Sequence, residues 1–163
     1  FLCRTGKRVM FLRCLPAVAG LCLAIPAGAL NLTYGQAFTV EKITRQNAAV
    51  QLPLSRGKYA NVKLLTRPVY EFLTTCKTPC RLERDTVTFT VQDFRAAKTR
   101  SGMWIAEVEI NGEIALTFLV FRQGGQFSIK PPEPVKFLDE TLLEAIKTRL
   151  KALAQQDEMQ THK

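Results

Sequence analysis

The sequence predicts an α+β fold: an antiparallel sheet of about five to six strands, with a meander over 85–130 and a C-terminal helix packed on one face. Three observations carry that expectation. Residues 86–92 alternate polar and apolar, with β-branched side chains throughout. Asn111-Gly112 separates two apolar runs. Leu142, Leu143, Ile146, Leu150 and Leu153 recur at helical spacing.

In chain order, residues 1–29 read as an export leader. Arg4, Lys7, Arg8 and Arg13 make a positive front, with no acid before Glu41. An apolar stretch follows over 14–25, and small residues at Ala27 and Ala29 suit a peptidase that cleaves before Leu30. The stretch falls short of the roughly 20 residues that a membrane span requires. Membrane contact is therefore expected only through an uncleaved leader. A lipid anchor on Cys22 is disfavoured, because Leu21 stands where a small residue is needed. The expected organisation is a cleaved signal peptide over 1–29, one α+β domain over 30–155 and a frayed polar tail over 156–163.

Cleavage removes four of the 23 basic residues and none of the 14 acids, so the net charge falls from +9 to +5. A surface of that charge attracts anionic partners mildly. No dense basic run or reader motif is present, so nucleic acid is not an expected partner. The sequon Asn31-Leu32-Thr33 has meaning only in a eukaryotic secretory pathway.

Residues 38–40 and 50–54 read as strands, with Pro53 favouring an edge. Residues 55–58 read as a turn and 62–65 as a further strand. Residues 68–75 suit a short helix, with Pro68 in its first turn and Thr66 as its cap. In the strand over 86–92, Val87, Phe89 and Val91 point inward. Parity rejects a two-residue turn at Asn111-Gly112, because it sets the apolar sets on opposite faces. A loop of Ile110-Asn111-Gly112 pairs positions summing to 222, setting Val108 opposite Ile114 and Trp104 opposite Phe118. A loop of Asn111-Gly112-Glu113 shifts that sum to 224 and keeps the parity. Either way Trp104 belongs to the core.

The run from Ile114 to Phe121 is apolar at nearly every position, as in a central strand covered on both faces. A two-residue turn at Gly124-Gly125 sets Val120 opposite Ile129. Pro131, Pro132 and Pro134 then end the sheet. The helix spans about 140–155, with Asp139 as N-cap and Leu138 stapled to Leu143.

The inventory of chemistry is short. Cys76 and Cys80 are the cysteines downstream of the leader, an even pair that reads as one disulfide in an oxidising compartment. The chain's one histidine, His162, lies in the polar tail. Triads and histidine-based zinc sites therefore lack their imidazole, and no catalytic residue, metal site or cofactor is expected. Glu107 and Glu109 share one face of the hairpin and Glu113 can lie near them, all close to the tip, where solvent keeps carboxylates ordinary. Arg95, Lys98 and Arg100, in the connection before Trp104, together with Arg122 from the next turn, are the candidate residues for an anionic partner.

Subtraction leaves an exported, periplasmic or extracellular, non-enzymatic binding or assembly module. Its expected partner is another envelope or extracellular protein. Two alternatives stand beside it. One is a carrier of a small apolar ligand in a cavity lined by Phe89, Phe118, Val120 and Ile146. The other is a thiol redox protein using Cys76 and Cys80.

Overall fold

The computed structural model describes residues 28–46 and 49–161. The expected leader therefore lies outside the described residues up to position 27, as does His162. Twelve elements follow in order: β1 (Gly28–Tyr34), β2 (Phe38–Gln46), β3 (Ala49–Gln51), β4 (Val62–Leu64), α1 (Arg67–Thr75), β5 (Cys80–Leu82), β6 (Phe89–Ala96), β7 (Met103–Ile110), β8 (Ile114–Gln123), β9 (Gln126–Lys130), β10 (Val135–Phe137) and α2 (Glu140–Thr161). No helix among the described residues is long and apolar enough to cross a membrane.

The α+β class holds, but the strands make two five-stranded sheets instead of one. Sheet one runs β10-β2-β1-β5, with β3 also on β2. Sheet two runs β4-β8-β7-β6, with β9 also on β8. All pairs are antiparallel except β1 with β5, which are parallel.

Sheet one escapes a sequence reading because β3, β5 and β10 have three residues each, too few for alternation to show. β1 buries Leu30, Leu32 and Tyr34 in strict alternation, but it begins at Gly28, inside the expected leader, whose apolar run hides the pattern. In β2, Lys42 takes a φ of 61° opposite Asn31, whose Oδ1 accepts the Lys42 N–H at 3.1 Å. That extra residue moves the inward set from Phe38 and Val40 to Ile43, so the strand outlasts the expected 38–40. The prolines do end sheet two, but residues 135–137 then add to sheet one against Phe38–Val40.

Sheet two matches its expectation closely. β8 is central, with β7 along one edge and β4 then β9 along the other. The hairpin adopts the Asn111-Gly112-Glu113 loop: Ile110 faces Ile114, Val108 faces Leu116 and Trp104 faces Val120. Asn111 and Gly112 both take positive φ (50° and 65°) and Glu113 N–H closes on Ile110 C=O at 2.9 Å, which selects this register over the shorter-sum one. Val120 faces Ile129 across Gly124-Gly125 as expected.

β6 runs past 92 because a bulge between Val91 and Asp93 resets its parity. Phe89 and Val91 face the core before the bulge, and Phe94 faces it afterwards, stacked on Trp104. Arg95 therefore belongs to a strand and not to the connection.

One core joins both sheets and both helices. Phe137 of β10 touches both Phe38 and Phe118, with ring centres 5.8 and 6.0 Å apart. Sheet one covers one end of the inner face of sheet two, and α2 covers the other. α2 buries Leu142, Ile146, Leu150 and Ala154, with Leu143 and Leu153 half-buried beside them. Asp139 Oδ1 accepts the Leu142 N–H at 3.1 Å, the expected N-cap. Leu138 does not form the expected staple: its N–H goes to Ala37 C=O and its side chain is 50% exposed.

The helix runs on to Thr161, past the expected end at about 155. Contacts to sheet two hold those last turns. Trp104 Nε1 donates to Asp157 Oδ2 at 2.7 Å, and Arg122 Nη1 donates to Glu158 Oε1 at 2.7 Å.

Candidate functional site

Cys76 and Cys80 are joined in a disulfide, with Cα atoms 5.5 Å apart. Pro68 lies in the first turn of α1 as expected, and Cys76 caps its C-terminal end. The negative end of a helix dipole disfavours a thiolate, whereas reactive thiols sit at helix N-termini. Cys80 is buried in β5 beside Leu32. Arg45 Nη1 donates to the carbonyls of Leu73, Thr74 and Cys76, at 3.3, 3.3 and 2.7 Å, and so fixes the end of α1 on sheet one. The bond is a clip between α1 and β5. Its reduction potential should fall below about −300 mV. The Cys76→Ser/Cys80→Ser protein should lose about 2 kcal/mol in a denaturant titration.

Glu113 departs from the solvated state expected of it. Its carboxylate receives Arg84 Nε at 2.8 Å and Nη2 at 2.6 Å, and also the Tyr34 hydroxyl. The Arg84 guanidinium lies 5.7 Å over the Tyr34 ring. Asn111 Nδ2 donates to Tyr34 Oη and to Thr86 C=O, both at 3.0 Å, while its Oδ1 accepts from Thr88. Gly35 packs so closely on the Arg84 carbonyl that a Cβ there would stand 3.0 Å from it.

Bonding to Arg84 holds the Glu113 carboxyl below its ordinary value. Burial, and then the hydrogen bond to Glu113, push the Tyr34 phenol up to about 12. Every member is satisfied within the cluster. It ties β1 of sheet one to the hairpin tip of sheet two. The other two glutamates are also engaged: Glu107 with Lys63, and Glu109 with Gln92 at 3.0 Å. Among the described residues, no three His, Cys, Asp or Glu side chains are grouped to hold a metal ion.

The four candidate basic residues divide between the two faces of sheet two. Arg122 points to the α2 side, where Glu158 neutralises it. With Arg100, Met103, Trp104 and Asp157 it lines an open groove of about 430 Å³. Arg95 lies opposite Ile105 on the other face and pairs with Asp93 at 2.8 Å. Lys98 is exposed in the β6–β7 turn. Arg100 crosses to the ring of Phe121, 5.4 Å from its centre.

That last contact leads to the feature the sequence does not reveal. Met103, Ile105, Leu119 and Phe121 form an apolar strip on the outer face of β7 and β8, only half-buried. Lys130 of β9, paired with Leu119, also lies 5.4 Å from the Phe121 ring centre. Exposed Tyr59 extends the strip into a groove of about 100 Å³, lined also by Leu119, Lys130 and Pro131. Glu133 in that groove is committed to Arg56, whose N–H and Nε reach it at 2.9 and 3.0 Å. A continuous apolar run reads alike whether its second face is covered or open, so the sequence could not mark this strip.

No family model matches this chain, and comparison with curated proteins and with solved structures returned no match.

Proposed function

We propose that this chain is an exported, non-enzymatic binding or assembly module that engages a partner protein through the outer face of sheet two. The observation that carries the reading is the Met103, Ile105, Leu119 and Phe121 strip, flanked by Arg100 and Lys130 on one aromatic ring. Apolar side chains ringed by charge are the usual composition of an interaction surface.

Export is supported by the charge, apolar and small-residue order of the leader and by the disulfide. Gly28 and Ala29 are exposed and Leu30 is the first buried side chain, so cleavage before Leu30 removes nothing from the core. Of the side chains the carrier reading puts around its ligand, Phe118, Val120 and Ile146 are buried in the core between sheet and helix. Phe89 borders an open surface groove with Arg149 instead. The redox reading is disfavoured by the place of Cys76 at a helix C-terminus.

Site-specific photo-crosslinking in the native compartment tests the proposal. A photoreactive residue at position 105 should give one discrete adduct, and one at exposed Lys151 of α2 should give none. Equal labelling at both positions, or adducts at neither, would discard this face as the interface.

A further inference from the structure

We propose that the outer face of β7 and β8 receives an acidic, extended segment of a partner protein, its carboxylates on Arg100 and Lys130 and an apolar side chain on Leu119 and Ile105. This rests on the binding-module reading above and adds the chemistry of the partner.

The charge balance of the face carries the argument. Among the described residues, neither Arg100 nor Lys130 is paired with a carboxylate; each instead rests on the ring of Phe121. Other cations bordering the strands are matched: Arg95 to Asp93, Arg56 to Glu133 and Lys63 to Glu107. Arg100 and Lys130, without an ion pair of their own among the described residues, therefore place positive charge at one end of the face beside the apolar strip, and exposed Lys98 in the adjoining turn adds to it.

Their separation sets the spacing of the ligand. Both cations lie 5.4 Å from one ring centre, so they are no further apart than twice that distance. Carboxylates at i and i+2 of an extended chain project from one face about 7 Å apart and can reach both. Leu119 and Ile105, cross-strand neighbours beside the Phe121 ring, are left for an apolar residue on the same face of the segment. The matching segment is an acid, a spacer, an acid, a spacer and an apolar residue.

An extended anionic surface such as a membrane fits less well. Asp93, Glu107 and Glu109 occupy the other half of the same face, and Glu133 stands beside Lys130. Three of these are paired, with Arg95, Lys63 and Arg56, so beyond Arg100 and Lys130 the face offers a flat layer of headgroups little net positive charge, whereas a short segment needs only that one end.

The test is a selection on the purified full chain with a random peptide library, followed by titration of the enriched peptides. Enrichment of Asp or Glu at alternate positions with an apolar residue on the same face is expected. The Arg100→Glu/Lys130→Glu protein should bind such peptides about tenfold more weakly. Lysine-substituted versions of the same peptides should recover affinity for that variant, an exchange that loss of folding cannot produce.

Enrichment of basic or purely apolar peptides, or no enrichment, overturns the acidic-segment proposal. So does tighter binding to vesicles of equal phosphatidylglycerol and phosphatidylcholine than to any peptide. If position 105 still gives its discrete crosslink in those cases, the interface stands and only the partner chemistry falls. If the crosslink is absent too, both fall.

Discussion

Trp104→Ala should destabilise the fold by about 3–5 kcal/mol, the larger of the two effects expected here. The indole is 5% exposed at the end of the inner face of sheet two. It packs against Phe94 and Phe127, with ring centres 6.4 and 5.8 Å away, and donates to Asp157 on α2. Truncation leaves a cavity between sheet and helix and removes a polar tie on the last turns of α2. Trp104→Phe keeps most of the packing and should cost about 1–2 kcal/mol, chiefly the lost N–H bond. Denaturant titration gives both values. Limited proteolysis supplies a local reading: cleavage between 154 and 161 should rise in Trp104→Ala before global unfolding. Unchanged protection there would mean that Arg122–Glu158 alone holds the helix end.

The second large effect is at the cluster joining the sheets. Glu113→Ala strips Arg84 and Tyr34 of their shared acceptor and should cost about 2–3 kcal/mol, or roughly 10 °C in Tm. The side chains of Arg84 and Glu113 are 30% and 20% exposed, so the pair is better shielded than a surface bridge but not fully desolvated.

Two pH limbs follow from the same cluster. The folded Glu113 carboxyl titrates below 4.5, so on acidification the unfolded chain takes up its proton first. The contribution is full above about pH 4.5 and is lost as pH falls through the folded-state value. Tyr34 behaves in the opposite sense. The unfolded phenol ionises near 10.0 and the folded one near 12. Its contribution is full below pH 10 and lost as pH rises from 10 to 12, an interval worth about 2–3 kcal/mol. Stability measured against pH should show both limbs in the native protein. Tyr34→Phe should flatten the alkaline limb and Glu113→Gln the acid one. Curves of the same shape in all three proteins would show that the cluster does not set the pH response.

Sheet two was largely legible because its strands are long, its turns carry their own signals and its parity is strict. Asn111-Gly112 and Gly124-Gly125 mark the two hairpins, and the inward set of Trp104, Ala106 and Val108 left only two registers to choose between. Sheet one was not legible. Two of its short strands, β5 and β10, are recruited from segments 45 or more residues away from their partners, and such pairings leave no local trace. The bulge at Gln92 defeated simple alternation by turning Phe94 inward and carrying Arg95 to the outer face. Glu113 was misjudged because its position at a hairpin tip implies solvent, whereas the partners that enclose it, Tyr34 and Arg84, come from remote sequence. Cys76 and Cys80 were legible as a pair from count alone, although only the structure locates them at the end of a helix.

The strand order of sheet one has a bearing on how the molecule is made. β2 needs residues 135–137 as its outer neighbour, and β1 needs residues 80–82. β1 and β2 pair with each other across a short turn, and 89–130 pairs within itself hairpin by hairpin. Closing the distant contacts is slow relative to such local hairpins. Until 80–82 and 135–137 dock, the outer edges of the β1–β2 hairpin stand open as templates for any other strand, so the late-joining segments act as edge guards of sheet one.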